Sequence, residues 1–144
     1  MTTSIPEAVE LIDFVETSLT VVSIRKDGII EIRFKTEEYE VDVPDQLEIA
    51  AAFLKLNKDG EKSYHVLVLS GLYGGITKEA REMEMFESPA FKNLKSLSIV
   101  VHGLAPRLLG KLYFSLKKQK PTYPYRLFDS ESAALKWIEQ YNRG

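Results

Sequence analysis

Two short segments carry the side chains best suited to chemistry. Ser70-Gly71-Leu72-Tyr73-Gly74-Gly75-Ile76-Thr77 sets three glycines between a serine and a threonine. Glycines let a backbone approach a bound molecule closely, and amides at the start of a helix attract anions. Ser70, Gly71, Gly74, Gly75 and Thr77 are therefore candidate contacts for a ligand or a partner. The segment satisfies neither the Gly-x-x-x-x-Gly-Lys-[Ser/Thr] pattern of a phosphate loop nor a Gly-x-Gly-x-x-Gly fingerprint. Its structural alternative is a tight crossover in which Thr77 caps a helix. The second segment is Val101-His102-Gly103-Leu104-Ala105-Pro106-Arg107. If both segments follow neighbouring strands of an open α/β sheet, they meet at the strands' carboxyl ends, where ligands usually bind. His102 and Arg107 would then bring an imidazole and a cation to the glycines. The alternative makes His102 a polar strand end and Arg107 a solvated first-turn residue, whose charge opposes the helix dipole.

Catalytic and metal-binding constellations are thin. The chain has no cysteine, which excludes disulfides, a thiol nucleophile and Cys-ligated zinc or iron-sulfur sites. His65 and His102 lack the close spacing of a metal-binding pair, and His65 reads as a structural residue beside Tyr64. Glu37, Glu38 and Glu40 cluster where an edge strand would carry solvated charge. Ser70, His102 and an acid could be assembled on paper into a triad, yet no Gly-x-Ser-x-Gly elbow presents the serine. The expectation is a protein that is not an enzyme, with no catalytic residue, no metal and no cofactor.

Charge is distributed more pointedly than any motif. The 144 residues carry a net charge of -2. Through Glu87, however, there are 9 basic and 18 acidic residues, and from Ser88 onward 10 basic and 3 acidic. Lys111, Lys117, Lys118 and Lys120 form a candidate basic surface, interleaved with Tyr113, Phe114 and Tyr123. Opposite poles on one chain suit self-association or an acidic protein partner, and the small net charge argues against dedicated nucleic-acid binding. No apolar run approaches the roughly 20 residues of a membrane span, and the acidic start is unlike a signal peptide. A cytoplasmic location is the expectation.

Elements to position these residues follow from periodicity. Residues 4 to 15 offer a short helix or, from Phe14, a strand, and residues 1–18 read as an N-terminal extension. Thr20 to Lys26 and Ile29 to Lys35 flank Asp27-Gly28 as a hairpin with a two-residue turn. In the second strand Ile30, Ile32 and Phe34 alternate with Glu31, Arg33 and Lys35, one face buried and the other wet. Tyr39, Val41 and Val43 predict a third strand, completing an antiparallel meander over 20 to 43. Leu47, Ala50, Ala51 and Leu54 form the inner stripe of a helix ending near Gly60. The continuous apolar run Val66 to Leu69 predicts a strand covered on both faces, and Leu97 to Val101 another. Between them a helix starts near Thr77 and buries Ala80, Met83 and Phe86. A further helix starts near Pro106 and buries Leu108, Leu109, Leu112 and Leu116. Tyr125 to Phe128 is a last strand, and Asp129 or Ser130 caps a final helix burying Ala134, Leu135 and Ile138. The order is an α/β fold: a meander, then α-β-α-β-α-β-α, in one mixed sheet and one domain over 1–144.

Gly75-Ile76-Thr77-Lys78-Glu79-Ala80-Arg81-Glu82, Phe128 to Ile138 and the Asp27-Gly28-Ile29-Ile30 hairpin together resemble small bacterial proteins with the SpoIIAA-like (STAS) fold, over roughly residues 20 to 142. The resemblance implies that fold; the expectation for function is a STAS-like regulatory or protein-interaction module. STAS relatives that antagonise anti-sigma factors are phosphorylated on a serine within Asp-Ser-Ser-Gly at a helix start. The matching place here reads Gly75-Ile76-Thr77-Lys78, so Thr77 is its hydroxyl, the aspartate is missing and the closing glycine is replaced by lysine. The alternative role is a carrier or sensor for a small apolar or anionic ligand.

Overall fold

The computed structural model describes residues 11–57, 63–83, 91, 94–102 and 123–143. Six strands form the main sheet: β1 (Leu11–Glu16), β2 (Thr20–Arg25), β3 (Ile29–Phe34), β5 (Tyr64–Leu69), β7 (Leu94–Val100) and β8 (Tyr125–Phe128), in the spatial order β1-β2-β3-β5-β7-β8. The first three pair antiparallel and the last four run parallel. Strands β4 (Glu38–Val41) and β6 (Tyr73–Ile76) form a separate, parallel two-stranded ribbon. Helices α1 (Val43–Leu56), α2 (Lys78–Glu82) and α3 (Glu131–Arg143) complete the described elements. The mixed α/β sheet with an N-terminal meander matches the expectation, although the meander is made of β1, β2 and β3. Leu11–Glu16, expected in an extension, is the sheet's edge strand. The segment expected as the third meander strand joins the ribbon instead, because Val43 is already helical.

The hairpin loop is Lys26, Asp27 and Gly28, one residue longer than expected. Gly28 takes the left-handed conformation at φ 83° and its N–H donates to the Arg25 carbonyl at 3.1 Å. A non-glycine residue there would be strained.

Both faces of the central strands are covered. Val22, Ile30, Ile32, Val66 and Leu97 pack under α1, which contributes Ile49, Ala52, Phe53 and Leu56. On the opposite face Ile29, Leu67, Leu69, Val100 and Phe128 pack against Ala134 and Ile138 of α3. This explains the uninterrupted apolar run of β5. It also corrects the wet face expected for β3 at one position, since Arg33 and Lys35 are exposed as expected but Glu31 is not. Glu31 is 9% exposed and pairs with Arg25 (3.4 Å) and Arg33 (3.1 Å). Arg25 also holds Asp27 at 2.8 Å and Arg33 reaches Glu131 of α3 at 3.9 Å, so an alternating chain of charges ties the hairpin to the last helix. A buried charge persists only when so partnered.

Helix α1 is capped by Asp42, whose carboxylate accepts from the Val43 N–H at 2.8 Å while Asp45 returns a bond to the Asp42 N–H at 2.8 Å. Its buried stripe is shifted from the expected one. Leu47 and Leu54 are 56% and 47% exposed, while Ile49, Phe53 and Leu56 face the sheet. The helix carries two apolar stripes, and burying the one with Phe53 removes more apolar area from water. No helix among the described residues is long and apolar enough to cross a membrane.

Candidate functional site

Parallel strands end together. Arg33, Leu69, Val100 and Phe128 are register partners along one rim of the sheet, and Ser70 and His102 lie just beyond it. The ribbon departs from the same rim, β4 three residues after β3 and β6 three residues after β5. The glycine segment expected as an open loop is therefore largely strand β6. Its backbone is tied to the β4 arm: Tyr73 N–H donates to the Glu37 carbonyl at 2.7 Å and Thr77 N–H to that of Val41 at 2.9 Å.

Tyr39 organises this region. Its ring stacks on Phe34 at 4.0 Å between centroids, the two planes nearly parallel. Its phenol oxygen accepts from the Gly71 N–H at 3.1 Å and is hydrogen-bonded to the Ser70 side chain. The ring lies against Gly74, where an added Cβ would collide with it, and a Cβ on Gly71 would come within 2.7 Å of the Thr36 carbonyl oxygen. The backbone approach that glycines permit is thus made to the protein's own tyrosine and main chain. At Gly75 an added Cβ would meet only the Tyr39 carbonyl at an ordinary 3.7 Å. Burial pushes the Tyr39 phenol above its usual pKa; the bonds from Gly71 and Ser70 oppose that shift, and the nearby Glu37 carboxylate adds to it.

Thr77 caps α2, its hydroxyl oxygen accepting from the Ala80 N–H at 3.1 Å. The same hydroxyl donates to the Asp42 carboxylate at 2.9 Å, so the caps of two helices are hydrogen-bonded to each other. Ser70 is half-buried and engaged with Tyr39, while His102 is exposed; among the described residues no hydrogen bond joins them. Glu37, Glu38 and Glu40 are exposed, and Glu37 also accepts from the Leu72 N–H at 3.3 Å. His65 is buried at the far side, 2.6 Å from the Ser96 hydroxyl. Arg107 and the basic residues Lys111, Lys117, Lys118 and Lys120 lie outside the described residues.

Sequence reasoning placed Tyr39 as one more strand residue and missed its role. The available signal was the pairing of an aromatic with Gly71 and Gly74 three residues apart, but nothing in the sequence set the two segments side by side. Beside the exposed carboxylates of the β4 arm, the β6 arm leaves apolar side chains facing solvent: Leu72, Tyr73 and Ile76 are 48%, 70% and 42% exposed.

Residues 22–142 match the model of a family described as a domain of unknown function, DUF7793. Among solved structures, the chain resembles an uncharacterized protein of the DUF3478 family from Shewanella loihica PV-4, described as having a SpoIIAA-like fold. That likeness has a TM-score of 0.53 at 9% identity and covers 90% of this chain and 93% of the other. No curated protein matches the chain. Since the family match spans most of the sequence and the overall likeness to that solved structure covers nine-tenths of the chain, the chain belongs to the DUF7793 family and has a SpoIIAA-like fold.

Proposed function

We propose that this chain is a non-enzymatic regulatory module that works by contacting another protein through the exposed β6 arm of the β4–β6 ribbon. One observation carries this reading: Tyr39 fills the space that the glycines open, and the adjoining arm turns Leu72, Tyr73 and Ile76 to solvent. Exposed apolar side chains grouped on one arm are the feature expected of a recognition surface, with aromatic residues as its anchors. The ribbon is the natural place for such a surface because it stands away from the main sheet on two short connections. A small molecule bound against Gly71 and Gly74 would require Tyr39 to leave Phe34, Gly71 and Ser70.

The test is native mass spectrometry of the protein purified from its own host, beside a Tyr73→Ser/Ile76→Ser variant. The expected result is a protein partner bound to the wild type and lost from the variant. A bound small molecule retained by both, with no protein partner, would overturn the reading in favour of a carrier or sensor.

A further inference from the structure

The outer stripe of α1 is the least expected surface of the molecule. Leu47 and Leu54 stand seven residues apart, about 10 Å along the helix axis, and both are exposed. Ala51 lies between them on the same face, also exposed. On one flank of this stripe run Glu48 and Lys55, again seven apart and again exposed. Glu48 accepts a single long bond, 3.3 Å, from the Ser18 N–H. Lys55 makes no ion pair among the described residues. Beside them lies an open groove floored by Val15, Ala51 and Ala52 and rimmed by Glu16, Glu48 and Lys55; Glu16 is already paired with Lys35 at 2.6 Å.

The pattern is its own complement. A second α1 laid antiparallel, with the two-fold axis passing beside Ala51, brings Leu47 of each helix against Leu54 of the other. The same operation preserves the flank, so Glu48 of each faces Lys55 of the other, twice by symmetry. Ala51 at the crossing point lets the axes come to the short end of the usual 8–10 Å, about 8 Å. A parallel arrangement would instead put the two Glu48–Lys55 flanks on opposite sides of the seam, where Glu48 and Lys55 form no pair across it. We infer that α1 is an isologous docking surface, and that its occupant is the α1 of a second copy of this chain. The interface is small, two leucines from each copy and two rim ion pairs in all, so it belongs to the weak, concentration-dependent class. It is separate from the ribbon and does not depend on the function proposed for that arm.

Sedimentation equilibrium of the full chain up to about 1 mM, where weak complexes are populated, tests the inference. The wild type is expected to show a monomer–dimer equilibrium, and Leu54→Glu to weaken it at least about tenfold by burying a charge in the seam. Glu48→Lys and Lys55→Glu, which leave like charges facing each other, should each weaken it about fivefold. The double variant Glu48→Lys/Lys55→Glu should recover the wild-type constant, a readout that general destabilisation would not give. All three positions are exposed, and circular dichroism checks that the variants stay folded. A wild type that is monomeric at 1 mM, or a dimer unchanged by Leu54→Glu and by either single charge reversal, overturns the inference. Tyr73→Ser/Ile76→Ser should leave the dimer intact, which separates failure here from failure of the ribbon reading.

Discussion

Replacing Tyr39 with phenylalanine isolates what holds the ribbon to the sheet. The substitution keeps the ring on Phe34 and removes only the oxygen, leaving the Gly71 N–H and the Ser70 hydroxyl without the phenol. An unpaired buried donor costs about 1–3 kcal/mol. Because the tyrosine is half-buried and water can reach part of the site, the low end applies, about 1 kcal/mol at pH 7. In a chain of this length that is a fall in Tm of about 3 °C. The difference also depends on pH. Burial raises the folded pKa of Tyr39 above the 10.0 of an ordinary tyrosine, so above that pH the folded state holds a proton that the unfolded state has released. The contribution of Tyr39 is therefore complete below pH 10 and declines as pH rises through the folded value. The gap between wild type and Tyr39→Phe should accordingly narrow above pH 10. Urea titrations followed through Trp137, the sole tryptophan, which packs on Phe128 at 5.6 Å, measure both quantities. Equal stability of the two proteins at pH 7, or a gap that widens in alkali, would refute the assignment of Tyr39 as the latch.

The shared cap gives a second expectation: Thr77→Ala should cost about 1 kcal/mol, and Thr77→Ser, which keeps the oxygen, should recover most of it in the same urea titration. Gly71→Ala should be the more damaging of the two loop glycine-to-alanine changes at Gly71 and Gly75. Its Cβ meets fixed carbonyl oxygens, whereas the Cβ at Gly75 finds ordinary contact distance; a Gly75→Ala protein less stable than Gly71→Ala would contradict the packing of the arm.

What the sequence made legible was whatever depends on near neighbours. The β2–β3 hairpin, the buried run of β5, the Thr77 cap and the burial of Ala134 and Ile138 all follow from residues a few positions apart. Three features escaped because they depend on distant partners. The choice between the Leu47/Leu54 and Ile49/Phe53/Leu56 stripes of α1 is decided by which one the sheet can bury, and both have helical spacing. Glu31 and Arg33 have the alternation of a wet face, yet Glu31 is buried because Arg25 and Arg33 neutralise it. The segment from Tyr39 to Val43 reads as a third meander strand, and the pairing of Glu38–Val41 with β6 takes it out of the main sheet. At the candidate site the same limit held: the glycines were visible, and the side chain that occupies their space lies more than thirty residues away.

The parallel pairing of the ribbon has a further consequence. Strand β3 begins at residue 29 and β5 at 64, β4 at 38 and β6 at 73, α1 at 43 and α2 at 78, and the linked caps are Asp42 and Thr77, 35 positions apart. The chain thus traces the same strand, hook, short strand, cap and helix twice in succession, with almost no side chain in common. Tyr39 and Gly74 occupy the same place in the two tracings and are register partners across the ribbon. One copy supplies a knob where the other supplies a hole. Two similar shapes laid side by side could slide by a residue and still pair their backbones; a ring that fits only against a missing side chain fixes the register of the two copies.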